Sequence, residues 1–241
     1  MLDDILPVNP DRVELSNLNR LDGGRPWDAR LRRKKVKVLR REIKRIAPGS
    51  KVTALAKSLL TKEALNALTR VDVLFGCTDN DGTRLCLNEL SAGYLKPYID
   101  MGSGIDAPGG SIKEAGGRVT VVLPGAGCLL DAKCVDVSQA GYELAGPTMQ
   151  EFARQQGYVT RAHVHAPSVM SLNQTVASLA VTEFKALVTG MRPPFRLLHY
   201  DLLKEMLRPV TFQTGGSCVV CHNCLGKGDL LGIVKRYAAA G

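Results

Sequence analysis

The 241-residue sequence has no apolar run approaching the roughly 20 residues that a membrane-spanning helix needs, which excludes a helical membrane protein. Its first ten residues, MLDDILPVNP, lack a basic start followed by a long apolar stretch, so a secretory leader is not expected and the cytoplasm is the default location. Aromatic residues make up only 5%, and none interrupts the most basic segment, which argues against a stacking platform for single-stranded nucleic acid. Internal repeats and low-complexity tracts are also missing. The 7 cysteines form an odd set, which in such a chain argues against a disulfide framework and toward metal ligation.

What is present is a basic excess of +9, much of it between Arg30 and Arg45. There Val36, Leu39, Ile43 and Ile46 recur at helical spacing, so the segment reads as an amphipathic helix with one buried stripe and a solvated basic face. The remaining cations would suit an acidic partner or a nucleotide phosphate. Ile5 to Val8 and Lys51 to Leu55 read as strands, Lys62 to Arg70 as a helix capped by Thr61, and Val71 to Phe75 as a buried strand. Thr83 to Tyr94 reads as a helix and Pro97 to Met101 as the next strand. This alternation predicts an α/β fold with a doubly wound, mostly parallel sheet. Gly102 to Gly117 reads as a loop, and Arg118 to Leu123 as a strand suited to antiparallel pairing. Ser168 to Val188 is a long helix, apolar on most sides, with a stop at Gly190. Cys77 and Cys86 read as core residues.

Ligands of open α/β sheets gather at the carboxyl ends of strands. Two such ends carry polar residues here, NPDRVELSNLNR after the first strand and GCTDND after Phe75. A carboxylate there can hold Mg²⁺, and an Arg can grip phosphates through its fork. Asp79 is the candidate metal-binding carboxylate, Arg20 the phosphate clamp and Asn17 a polar positioner. Asp and Asn after a strand are also ordinary turn residues.

Taken together, DRVELSNLNR, Lys35-Val36 in a helix closing on Ile46-Ala47-Pro48, and VDVLFGCTDN with Arg84 and Asn88 resemble the HesA/MoeB/ThiF family, which includes the adenylation domains of ubiquitin-activating enzymes. The resemblance runs from Ile5 to about Ala126 and resumes at Pro167 to Gly190 and Gly216 to Asp229. It implies a Rossmann-like fold, with residues 1–126 as a partial nucleotide-binding half. Residues 127–241 would hold a crossover loop, a long interface helix and a small zinc-knuckle region. It also implies an ATP- and Mg²⁺-dependent adenylyltransferase acting on the C-terminal carboxylate of a ubiquitin-like or sulfur-carrier protein, as a homo- or heterodimer. By the same resemblance Arg20, Lys35 and Asp79 are catalytic, and Asn9, Asp11, Asn17, Thr78 and Asn80 shape the nucleotide site. The sequence departs from the family pattern in three places. The opening strand, GxGGxGS loop and helix that cradle phosphates do not precede DRVELSNLNR, so the expectation is an N-terminally truncated copy. Asn9 stands where the family has an acidic ribose ligand, and Leu21 where Gln follows the Arg.

The CVVCHNC segment supplies a CxxC knuckle, Cys218 and Cys221, and the resemblance implies a structural Zn²⁺ shared with a second pair near Cys128. The fourth ligand is open between Cys134, Cys224 and Asp131. Cys134 is otherwise the candidate thioester cysteine, while His163 and His165 read as solvated residues. Two competing functions are a non-catalytic partner subunit of such an enzyme and a zinc-stabilised nucleic-acid-binding protein. The latter is the weaker, because it leaves SNLNR and CTDN unexplained.

Overall fold

The computed structural model describes residues 4–155, 169–214 and 218–238. Two compact units divide near Val71 and Asp72 and are described separately. In the first, β1 (Asp4–Ile5) precedes a short 3₁₀ turn (Leu15–Asn17), α1 (Pro26–Arg30) and α2 (Lys35–Ile46). β2 (Lys51–Val52) then pairs parallel with β1, and α3 (Lys62–Leu68) follows, its Thr61 cap accepting a hydrogen bond from Ala64 N–H. The fragment is thus a βαβ crossover, and Val13, Ala29 and Val38 form its small core.

Helix α2 differs from its expected stripe. Val36 is buried, but Leu39 and Ile46 are exposed, and Val38 and Glu42 turn inward instead. The cause is electrostatic. Asp28 on α1 is fully buried, and Arg41 meets it through two hydrogen bonds of 2.9 and 2.8 Å, which fixes the rotation of α2.

The second unit holds a five-stranded sheet in the order β3 (Leu74–Gly76), β4 (Tyr98–Asp106), β5 (Glu114–Val122), β6 (Leu197–Asp201) and β7 (Met206–Pro209). β3 and β4 run parallel, joined through α4 (Asp81–Tyr94), whereas β4 to β7 pair antiparallel. The class is α/β, with a parallel pair and a mixed sheet, and the parallel share is smaller than expected. Gly102 to Gly117 is not a loop. It extends β4 and β5 into a long hairpin, because the Gly-rich stretch on each side pairs in register from Gly102↔Arg118 to Asp106↔Glu114. Short connections such as 107–113 and 202–205 permit only antiparallel pairing.

The remaining helices are α5 (Val137–Leu144), α6 (Pro147–Gln155), α7 (Met170–Thr189), α8 (Val219–Asn223) and α9 (Leu230–Tyr237). α7 lies on one sheet face, where Leu172, Val176 and Ala180 pack on Ile99, Val119, Val121 and Leu198. Gly117 allows that approach, since a Cβ there would sit 2.4 Å from Val176 Cγ2. α7 ends at Gly190 in the left-handed conformation, as its sequence predicts. The opposite side of α7 is exposed at Val181 and Val188.

Arg41 holds the Asp28 carboxylate below its usual pKa. Its stabilisation is therefore present above the ordinary carboxylate range and lost as pH falls through the depressed value. Asp28→Ala should lower the unfolding free energy by about 2–3 kcal/mol at neutral pH, and the deficit should shrink on acidification, as read by denaturant titration.

Candidate functional site

The first unit gathers part of the expected nucleotide site. Lys35, at the start of α2, forms a 2.9 Å ion pair with Asp11, and its backbone N–H donates to the Asp11 carbonyl. Asn9 Oδ1 accepts from Asp11 N–H at 2.8 Å, and Asn17 Oδ1 accepts from Glu14 N–H at 3.3 Å. Asp11, Asn17 and Lys35 line a polar cleft of about 310 Å³ together with Lys34 and Arg32. Arg20 does not line it. Its guanidinium folds back onto the Ser16 carbonyl at 2.8 Å and Asn19 Oδ1 at 3.2 Å. Both Lys35 and Asp11 are partly solvated, and an exposed pair of this kind holds its partners by only about 0–1 kcal/mol, so the lysine is available to a stronger anion.

The second unit places Thr78, Asp79 and Asn80 between the carboxyl end of β3 and α4. Asp79 is exposed, and the contact from Asn80 Nδ2 to its carboxylate is long, at 3.5 Å. Asn80 has a structural task that the sequence reading did not give it. It is the N-cap of α4, accepting from Thr83 N–H at 2.8 Å and Thr83 Oγ1–H at 2.6 Å. Thr78 offers its carbonyl to Arg84 Nη2 at 2.7 Å, while its hydroxyl is buried without a partner among the described residues.

Beneath this loop lies a polar cluster in which sequence reasoning assigned no role. Asp100 on β4 is fully buried, accepts from the Tyr98 hydroxyl at 2.8 Å, and faces Arg84 Nε at 3.4 Å and Arg118 Nη2 at 3.8 Å. Burial pushes its carboxyl pKa up, against the pull of the two arginines. An Asp in an otherwise apolar strand was the available signal. Glu143 on α5 also accepts from Gly82 N–H at 2.8 Å, placing a carboxylate at the amino end of α4.

The cysteines divide. Cys128, Cys218, Cys221 and Asp131 bring one donor atom each to within 4.8 Å of one another. Cys128 and Cys218 sulfurs are 3.4 Å apart, and Asp131 Oδ2 accepts from Cys221 Sγ at 3.2 Å and from Cys128 N–H at 2.8 Å. Tetrahedral Zn²⁺ with bonds of about 2.3 Å to sulfur wants donors about 3.8 Å apart, so the set suits it. Of the three residues open for the fourth place, Asp131 is the one gathered. Cys134 lies elsewhere, its sulfur 3.4 Å from Thr120 Oγ1, and Cys224 is the C-cap of α8. One side chain shapes the approach to Cys128. Arg196 donates to the carbonyls of Val121, Ala126 and Gly127. The CxxC does open a short helix, α8. Cys86 is buried as expected, whereas Cys77 is exposed beside Met101. His163 and His165 lie outside the described residues.

With both halves in view, comparison decides the family. The ThiF family model matches residues 5–219. The chain belongs to the ThiF family. Its fold is similar to that of E. coli MccB solved with ATP, with a TM-score of 0.66 at 16% identity over 91% of this chain and 59% of that one. The microcin C7 biosynthetic enzyme MccB in complex with N-formylated MccA gives a TM-score of 0.70 at 17% identity, covering 91% and 60%. PaaA gives 0.58 at 16% identity, covering 84% and 62%. These likenesses show the fold, and this ThiF-family chain spans 59% of the MccB length. No curated protein matches it in sequence.

The two residues of the CTDN loop should separate in an unfolding experiment. Asn80→Ala should cost about 1 kcal/mol through loss of the α4 cap. Asp79→Asn should change stability by less than about 0.5 kcal/mol, because its side chain supports little of the fold.

Proposed function

We propose that this chain supplies the adenylating part of a ThiF-type adenylyltransferase, which activates the C-terminal carboxylate of a ubiquitin-like or sulfur-carrier protein with ATP. The observation that carries the reading is Asp79, an exposed carboxylate held by one long contact at the carboxyl end of β3, just before α4. In the reaction a substrate carboxylate oxygen attacks the α-phosphorus, the bond to the bridging oxygen breaks, and pyrophosphate leaves. Such a step needs charge neutralisation and positioning more than proton transfer. Asp79 would hold Mg²⁺, which supplies positive charge to the phosphates when bound, and Thr78 and Asn80 would shape the nucleotide site beside it. Lys35 and Arg20 would exchange Asp11 and the Ser16 carbonyl for phosphate oxygens, and Asp11, Asn17 and Asn9 would border the nucleotide.

MccB was solved with ATP and, separately, with N-formylated MccA, which supports a nucleotide and a peptide or protein carboxylate as the ligand classes. A homo- or heterodimer packed through α7 belongs to the same proposal, supported by the exposed apolar side of that helix. Among the described residues no helix is long and apolar enough to cross a membrane. A second reading, a non-catalytic partner subunit, is favoured by Asn9, whose amide is committed to the Asp11 backbone.

Purified chain supplied with candidate carrier proteins should catalyse ATP–pyrophosphate exchange that depends on a free C-terminal carboxylate. Asp79→Asn should lower the exchange by about 100-fold or more. Absence of exchange together with absence of nucleotide binding would leave the second reading.

The proposed metal centre uses Cys128, Cys218, Cys221 and Asp131 to hold Zn²⁺ as a structural ion. Burial and the Asp131 contact hold the Cys221 thiol well above its usual pKa, and burial raises that of Cys128. Binding must therefore displace protons, so zinc affinity should rise with pH. The chain should carry one equivalent of zinc, and Cys218→Ser or Asp131→Ala should weaken retention by about tenfold or more in a chelator competition.

A further inference from the structure

The antiparallel register places two arginines on either side of a histidine on the sheet face opposite α7. Gly102 on β4 pairs with Arg118 on β5, Arg118 with His199 on β6, and His199 with Arg208 on β7. Directly opposed residues have Cβ atoms about 5 Å apart, so a proton on His199 would sit beside both arginine strands and is disfavoured. Partial burial first, and then the charges of Arg208 and Arg118, lower the pKa of His199, so the imidazole lies neutral between them at neutral pH. At the inner end the row is continued by Arg84, whose Nη2 would lie 3.1 Å from a Cβ at Gly102.

Among the described residues, Asp106 and Glu114 share this face but lie at the far end of the hairpin, and the carboxylates nearest the row are Asp100 and Asp201. Asp100 is shared between Arg84 and Arg118, and Arg118 Nη2 also donates to the Cys134 carbonyl; among the described residues Asp100 Oδ2, Arg84 Nε and Arg118 Nε are buried without hydrogen-bond partners. Asp201, in the next register position on β6, is bound to Lys204 at 2.9 Å. Arg208 is exposed and its side chain makes no hydrogen bond or ion pair among the described residues, and His199 is exposed beside it. Gly102, Gly104 and Gly116 leave one flank of the row with no side chains. A Cβ at Gly104 would meet nothing within 4 Å.

The row has a direction. Arg84 also donates to the Thr78 carbonyl and to Asp81, so its inner end adjoins the Asp79 loop, while Arg208 lies on the edge strand. Three strand spacings make it about 14 Å long, the reach of about four residues of extended chain. Clustered arginines on a firm scaffold are a recurrent device for reading acidic peptide segments.

We propose that Arg118, His199 and Arg208 form a specificity row that binds an acidic, extended segment of the substrate, in the few residues before the carboxylate to be activated. This rests on the adenylation reading for the direction of the peptide, and on the cross-strand register for its charge.

The test uses the chain as it is and fluorescent peptides of about ten residues with a free C-terminus. One peptide carries Asp at the third to sixth positions from that terminus, and its counterpart carries Asn there. By fluorescence anisotropy at low salt, without ATP, the Asp peptide should bind roughly tenfold more tightly, and added salt should erode the preference. Arg208→Glu should abolish the preference, and the milder Arg208→Gln should reduce it. Equal binding of the two peptides, or an unchanged preference in Arg208→Glu, would overturn the proposal. So would tighter binding of a single-stranded oligonucleotide of equal charge, which would make the row a general polyanion surface. The adenylation reading is scored separately by pyrophosphate exchange. An acidic preference without exchange would support the docking row while removing the adenylation step, and exchange indifferent to peptide acidity would do the reverse.

Discussion

A carboxylate buried in the middle of a strand dictates much of the second unit. Asp100 cannot stay charged in an apolar sheet without cations, and Arg84 and Arg118 are drawn to it from α4 and β5. Each arginine then does a second thing with the donors that remain. Arg84 holds the Thr78 carbonyl and Asp81, which fixes the loop bearing Asp79. Arg118 holds the Cys134 carbonyl, which fixes the segment leading away from the metal-suited cluster. Asp100, one strand away, is thus linked through Arg84 to the loop that carries the proposed catalytic carboxylate.

The same economy of polar contacts appears around the cysteine cluster. Cys128 and Asp131 belong to the turn after β5, whereas Cys218 and Cys221 open α8, about ninety residues later. Arg196 ties that turn to three backbone carbonyls, and Asn88 on α4 accepts from Leu129 N–H at 3.0 Å. α9 is held to α4 in turn, through Arg236 and Tyr237 on Glu89. Segments far apart in sequence therefore meet at one place, where a bound ion would add a further cross-link.

The parts legible in the sequence are those governed by local patterns. Thr61 as a cap, Gly190 as a stop, the β3–α4–β4 alternation and the antiparallel partner at Arg118 all follow from short-range chemistry, and the structure carries them. What was missed depends on partners far along the chain. The inward turn of Arg41 and Glu42 needs Asp28, the strand character of Gly102 to Asp106 needs Glu114 to Arg118, and β6 and β7 have no periodic signal strong enough to announce them. The site divides in the same way. Asp79 and the Lys35–Asp11 pair sit in recognisable motifs, while Asp100, Glu143 and the choice of Asp131 over Cys134 become visible only when the sheet is assembled.

The central claim is that a peptide or protein carboxylate attacks the α-phosphorus of ATP at the site containing Asp79. The most direct measurement supplies a carrier protein whose C-terminal carboxylate is labelled with heavy oxygen, lets the activated acyl group react with a nucleophile, and follows the label by mass spectrometry. The account predicts one labelled oxygen in the AMP released, none in pyrophosphate, and transfer slowed by about 100-fold or more in Asp79→Asn. Label in inorganic phosphate, or ADP as the nucleotide product, would contradict it.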